Sequence, residues 1–543
     1  MKGLSAGMSQ VYANILNSLT TGLYIQVNIG LREYLQNAYD AIKAAKQNNL
    51  PEPRDRFHVE VKITRDGRNI TVSDNGIGMD LSVLQEYTSI GGGTKNSPDY
   101  AGHKGIGKLA GLRFFDRFVV RTKQINSTTG YELSWRSGDM MRALLSSSDK
   151  MKKIPYGDFI RDYYEIKPFP DEHALLHYTQ VQLIEVLDEF RDQVSEESVG
   201  RFIQTSCPVP FLEESFQQAR TLGGFLVDCV SPVITYLNDK VIYRPYHDRY
   251  SLVESFCEDL KYSDRIRAKL WYSWESNAAE VIAEDRIRGV RFRCKGICVG
   301  DRNLFANNCM PEGRNAVADW FTGEVCVIDD EIKPNTSRDG FEKSATVKKF
   351  YDELKKQLGK KLSSLATVRS EIHAADQHLL KVEKLLADKK PLSRTELAKL
   401  EERRKVLVKY RADDKHRLDF SVIAKLERVL GVAEAGAVKR VSEVTKRVNE
   451  VIANGNPEEV ITTLLDLKTQ EIQTTSKRAK KELGYLIDKA KGVLKDKAEG
   501  PPMMLEGTQE RKILEILKSY LESKGIAYDL KEVQDFVRSK WGQ

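Results

Sequence analysis

The chain has 543 residues, 41% of them hydrophobic and 30% charged, with a formal net charge of +7. That length exceeds what a single core serves, so three or four domains are expected, and the composition is that of a soluble, folded protein. A membrane span and a secretory leader are both argued against. The most apolar stretch, "TLGGFLVDCVSPVITYL" at 221–237, contains Asp228 and Pro232 and reads as a strand region, while the apolar residues after Met1 are interrupted by Ser9, Gln10, Asn14 and Asn17.

Seven cysteines, odd in number and scattered, fit a reducing cytoplasm, and Cys294 and Cys298 read as ordinary thiols because no second close pair follows them. The charge is uneven: residues 346–543 carry 42 Lys and Arg against 31 Asp and Glu, whereas residues 1–345 carry 43 against 47. The signs alternate closely in the basic part, so a solvated helix surface explains the surplus at least as well as a nucleic-acid groove.

In chain order, residues 10–47 read as helix, with "YANILNSL" and "LREYLQNAYDAIKAA" free of strong breakers. The alternation in "FHVEVKITRDGRNITVSD" predicts two strands joined at Asp66-Gly67. Past a glycine-rich region come "RFFDRFVVRTK", "GYELSW", a loop-like insertion and "HYTQVQLIEV" at 177–186. Helix first and mixed strands next predict an α+β fold, with helices on one face of a mainly antiparallel sheet. A second α/β unit runs from about 225 to 345, including "PVITYLNDKVI", "RGVRFRCKGICVG" and "GEVCVIDDEIKPNTSRDGF". Residues 346–498 are Lys/Glu/Leu/Ala-rich helix, cut at Pro391 and at "ANGNPEE" (453–459). "EGPPMM" (499–504) links them to a small helical tail at 505–543. Val441, Val444, Val448 and Val451 form a short 3-4-3 seam, read as a helix docked in a bundle in preference to a coiled coil.

Three segments suggest chemistry. On the first helix Glu33, Asn37 and Asp40 fall at i, i+4 and i+7, apart from the apolar stripe of Leu31, Leu35, Ala38 and Ile42. They are either the wet face of a surface helix or a glutamate able to deprotonate water beside an amide able to bind magnesium. "VSDNGIGMD" ends a strand in Asp74-Asn75 with glycines around Ile77. It is an ordinary turn, or a carboxylate poised to accept from an amino group while backbone closes over a flat ring. "GGGTKNSPDYAGHKGIGKLAG" (91–111) combines exposed N–H groups and lysines into an anion site, or is a plain mobile loop. It is not a Walker loop, because Leu109 stands where a hydroxyl is required, and its "GIGKLA" follows no strand as a dinucleotide turn would.

The order of these segments, followed by a strand carrying "YTQV", resembles the GHKL ATPases, the superfamily of gyrase, MutL, the chaperone HtpG, MORC proteins and histidine kinases. "LREYLQNAYDAI" looks like the N-box, "DNGIGM" the adenine box and "GHKGIGKLAG" the second glycine box. "SIGGGTKN" and "PNTSRDGF" are similar to the chaperone's lid and middle-domain loop. The resemblance implies a Bergerat-fold ATP-binding domain (1–224), an α/β transducer (225–345) and a helical C-terminal region, closest to the HtpG/MORC/MutL-like branch. It implies Glu33 as the base and Asn37 as the magnesium ligand. It implies that Asp74 holds the adenine amino group, with Gly76, Gly78, Met79 and Thr179 around the base. Gly102, Gly105, Ile106 and Gly107 would bring lid backbone to the phosphates, whose charge Lys104 or Lys108 neutralises. Arg338 would reach the γ-phosphate from the transducer, or else sit in a surface turn with Ser337 and Asp339 pairing locally. ATP and Mg2+, an ATP-dependent homodimer, and DNA or a protein as partner of the C-terminal helices are the expected company. An ATP-gated clamp in genome maintenance or antiviral defence and a chaperone-like remodeller are the two expected outputs.

Overall fold

The computed structural model describes residues 12–13, 16, 26–53, 56–89, 107–146, 153–276, 279–388, 392–454, 463, 467, 481 and 483–489. The chain divides into two compact units, 1–369 and 370–543.

The first unit begins with helix α1 (Val27–Gln47), whose Leu31, Leu35, Ala38 and Ile42 are buried as the stripe predicts. Of residues 10–26, expected to be helical, few are described, and Tyr12 makes an isolated bridge to Pro155. Strands β1 (His58–Ile63) and β2 (Ile70–Asp74) form the expected hairpin, with Gly67 at φ +69° in its turn and the Asp66 carboxylate accepting from Arg68 N. They are followed by β3 (Phe115–Lys123), β4 (Thr129–Trp135), helix α2 (Ser137–Ser146), β5 (Tyr164–Pro170) and β6 (Tyr178–Val186). After helix α3 (Glu196–Ser206) come β7 (Ile234–Leu237) and β8 (Lys240–Ile242). The eight strands lie in the order β5-β4-β3-β6-β2-β1-β7-β8, antiparallel except where β1 meets β7. Val59, Val61, Ile70, Val72, Val120 and Leu183 point from this sheet into one core with the α1 stripe, as period-2 strands against a 3.6-period helix must.

Three elements differ from the sequence reading. The loop-like insertion before β6 contains α2 and the edge strand β5; α2 forms because Met140, Met141 and Leu144 share one buried side at helical spacing. The stretch 221–237 is strand only from Ile234; its first residues belong to the helix Ala219–Phe225, which buries Leu222. "PVITYLNDKVI", assigned by sequence to the second unit, supplies β7 and β8 to the first sheet, because β7 pairs in parallel with β1.

A second sheet is built from β9 (Phe256–Tyr262), β10 (Arg265–Ser273), β11 (Gly289–Cys294), β12 (Ile297–Val299) and β13 (Thr322–Val327), in the order β12-β11-β13-β10-β9. Helix α4 (Arg302–Cys309) lies between β12 and β13, and α5 (Ala345–Leu354) follows. A π-helical turn, Lys355–Gly359, leads from α5 into α6 (Lys360–Ala387). Its Gly359 is required by close approach: a Cβ there would lie 1.8 Å from the Cys309 carbonyl oxygen.

In the second unit, α7 (Arg394–Ala412) opens with a capping box from Ser393 and Glu396, and α8 (Ser421–Asn454) carries the valine seam. Val441 and Val448 are buried with Leu467, Leu483, Leu486 and Ile487, and Val444 packs at their edge, so the seam is a docked helix face. Pro391, most of "ANGNPEE", the linker and the tail lie outside the described residues. All seven cysteines are free, and among the described residues no cluster of metal-ligating side chains occurs. No helix among them is long and apolar enough to cross a membrane.

Candidate active site

Helix α1 holds its polar residues against protein. Asp40 is buried and Glu33 and Asn37 are half-buried, so this is not the wet face of a surface helix. Arg32 and Gln36 are buried beside them. Arg32 Nη2 stands 3.3 Å from Glu33 Oε1 and also donates to the carbonyl of Ser337 at 2.8 Å. A single guanidinium thus fixes the glutamate and fastens α1 to the loop that carries Arg338.

That loop is set by its own sequence. Asn335 N donates to Gly340 O and Asn335 Nδ2 to Asp339 Oδ1 at 2.6 Å, closing the turn, while Pro334 and Phe341 bridge at its base. Arg338 occupies the left-handed region at φ 52°, an uncommon conformation for a residue with a Cβ. Its carbonyl accepts from Gly300 N, and its side chain is buried. Burial lowers the pKa of the guanidinium, and the nearby charges of Glu33 and Asp40 oppose that shift. Of the surface-turn alternative, the local pairing is present, since Ser337 Oγ donates to Asn335 Oδ1 at 3.4 Å and Asp339 accepts from Asn335, but the Arg338 side chain is buried, with Glu33 and Asp40 of α1 as its nearby carboxylates.

At the end of β2, Asp74 is buried and its Oδ1 accepts from Gly76 N at 2.9 Å. The turn that follows is pressed onto α1 and β3. Ile77 N donates to Ala41 O, and a Cβ on Gly76 would sit 2.5 Å from Ala41 C. Gly78 has φ +69°, and a Cβ there would overlap the Lys123 carbonyl oxygen at 2.0 Å, so glycine is obligatory at this point. His177 Nδ1 lies 2.6 Å from Gly76 O, so this nitrogen carries the proton and donates. Met79 N donates to Thr122 Oγ1. Register places Asp74 opposite Thr179 and Thr179 opposite Thr122, so the three side chains form one row across β2, β6 and β3 on the face that α1 covers. Burial together with the charge of Asp74 raises the pKa of the Tyr87 hydroxyl.

The lid region is described only at its base. Gly107 and Lys108 begin a 3-10 helix, Gly107–Arg113, which α1 holds by a bond from Gly111 N to the Tyr34 hydroxyl at 2.7 Å. The Lys108 side chain, Gly102, Lys104, Gly105 and Ile106 lie outside the described residues. The structure therefore brings Glu33, through Arg32, to the loop that carries Arg338, with Asn37 half-buried one turn along α1, and it gathers Asp74, Gly76, Gly78 and Met79 at the turn packed on Ala41, with Thr179 across the sheet from Asp74. Sequence reasoning missed Arg32, Thr122, His177 and Tyr34. Only Arg32 left a signal, as a cation in line with Gln36 and Asp40 at i, i+4 and i+8 on α1.

Residues 25–154 match the family model described as histidine kinase-, DNA gyrase B-, and HSP90-like ATPase. The chain carries a GHKL ATPase domain. Individual relatives match it over part of their length. The chaperone protein HtpG of Fusobacterium nucleatum is 27% identical over 176 residues, covering 27% of this chain and 29% of that protein. HtpG of Bacillus subtilis is 30% identical over 139 residues, covering 23% and 22%. HtpG of Halalkalibacterium halodurans is 23% identical over 224 residues, covering 35% and 36%. The chain thus spans about a third or less of the length of these relatives. The ATPase region of Saccharomyces cerevisiae topoisomerase II covers 62% of this chain and 85% of its own at 11% identity and a TM-score of 0.37, values too low to compare sites.

Proposed function

We propose that the chain binds and hydrolyses ATP with magnesium at the GHKL domain and uses turnover to drive a clamp or switch. The observation that carries this reading is the meeting of Glu33, Arg32 and the Arg338 loop, since it joins the base expected on α1 to a cation from the second sheet. Asp74 accepts from the adenine amino group, and the Gly76–Met79 turn, with no Cβ at its two closest approaches, lets backbone lie against the ring. Asn37, one helical turn from Glu33, would ligand magnesium, which when bound would neutralise phosphate charge. Glu33 takes a proton from the attacking water, and Arg32 orients its carboxylate. Arg338 stabilises charge on the transferring phosphoryl group. Gly102, Lys104, Gly105, Ile106, Gly107 and Lys108 belong to the lid that closes over the phosphates.

Closure associates two N-terminal domains into a homodimer, and hydrolysis releases them, in the cytoplasm. The basic surplus of residues 346–543 supports DNA as the partner of the helical region, in genome maintenance or defence. The HtpG relatives favour a second reading, protein remodelling, although each covers only about a third of the chain or less. Phosphate release tests the shared core of both. Arg338→Ala is expected to bind ATP as the wild type does and to turn over about 100-fold more slowly, and an unchanged rate would remove Arg338 from the mechanism. A steep fall of DNA affinity with salt would then decide for DNA, and its absence at low salt for a protein partner.

A further inference from the structure

We propose that Thr122, fully buried at the inner end of the row it forms with Thr179 and Asp74, sets the base preference by fixing the direction of the Thr179 hydroxyl. The inference rests on the adenine-site reading above and adds to it a residue that acts through another. The geometry is a hydrogen-bond chain in which a single arrangement of protons makes all three contacts. Thr122 Oγ1 accepts from Met79 N at 2.9 Å and lies 3.0 Å from the carbonyl oxygen of Tyr178 and 3.1 Å from Thr179 Oγ1. A hydroxyl has one proton, and a carbonyl can only accept, so the Thr122 proton goes to Tyr178 O. The proton between the two threonines must then come from Thr179. Thr122 is fully buried, so no solvent offers another arrangement, whereas Thr179 keeps a small exposed edge.

With its proton turned inward, Thr179 presents only lone pairs to a ligand. Its cross-strand neighbour Asp74, as a carboxylate, is likewise an acceptor. Two acceptors in one row match a base whose edge carries an exocyclic amino group and mismatch one that carries a keto oxygen there. Thr122 is therefore a positioning residue for base selectivity: it discriminates amino from keto purines by denying Thr179 the chance to donate.

The test uses ATP and inosine triphosphate, which differ at that position by amino against keto, with equilibrium binding to the full chain. Wild type is expected to prefer ATP by roughly 100-fold, and Thr122→Val, which keeps the shape but removes the acceptor, to narrow the preference by about tenfold. Thr122→Ser is expected to restore it. An equal weakening of both nucleotides by Thr122→Val would mean that Thr122 only supports the turn, and would overturn the proposal. Should Thr122→Val not fold, Thr179→Val carries the test: an unchanged ratio there overturns it equally. Wild-type protein that binds neither nucleotide overturns the adenine-site reading itself, an outcome separable from the others.

Discussion

Replacing Glu33 by alanine is expected to lower ATP turnover about 1,000-fold while changing ATP affinity only a few-fold. The asymmetry follows from position. Glu33 stands half-buried on α1 with its carboxylate held by Arg32, whereas the turn assigned to the base hangs from Asp74 and from Ala41 two turns further along the helix. Alanine is the best helix former, so α1 persists, and Arg32 keeps its bond to Ser337 O and hence the link to the Arg338 loop. Phosphate release at saturating ATP beside equilibrium binding separates the two quantities. A variant that loses binding and turnover in parallel would place Glu33 in nucleotide binding instead of chemistry.

Replacing Glu324 by alanine is expected to cost the fold about 3–5 kcal/mol. Glu324 on β13 is fully buried between Arg244, which pairs with Oε2, and Arg293, whose Nε stands 2.8 Å from Oε1. Arg293 also donates to the carbonyls of Thr205, Cys207 and Gly296, and Arg244 to that of Val209. The three charges therefore clasp the segment leaving α3 to the second sheet, and removing the anion strands two buried cations. Burial alone would raise the Glu324 pKa, but the two guanidiniums overcome it and hold the carboxyl at about 2. A folded pKa below the unfolded value stabilises the fold above the unfolded pKa and is lost as pH falls towards 2. Urea unfolding at pH 7 reads the first effect, and the same titration down to pH 3 reads the second. A loss below about 1 kcal/mol would mean that Arg244 and Arg293 find water or other partners once the carboxylate is gone, and would contradict the clasp.

The α+β class, the α1 stripe, the β1–β2 hairpin and the docked valine seam were legible because each is a period in the sequence matched to one buried face. What escaped was tertiary. β7 and β8 join the first sheet through a parallel pairing with β1, and no local pattern marks which sheet a short strand will enter. The order Glu33, Asn37, Asp74, Gly78 marks the segments that the proposed chemistry uses, yet Thr122 and His177 are tied to the candidate site by hydrogen bonds to backbone atoms 43 and 101 residues away in sequence, and their residue types alone carry no such information. Arg338 lay between legible and hidden: its loop could be quoted from sequence, but its direction is set by the Asn335–Asp339 turn and by Arg32 reaching Ser337 O from α1.

Light scattering of the full chain in magnesium and ATP, wild type beside Glu33→Ala, tests the switch most directly. The expected result is a dimer that forms in both proteins, decays in wild type as ATP is consumed and persists in Glu33→Ala. A mass that nucleotide leaves unchanged in both would contradict it, and would mean that events at α1 and the Arg338 loop do not govern association.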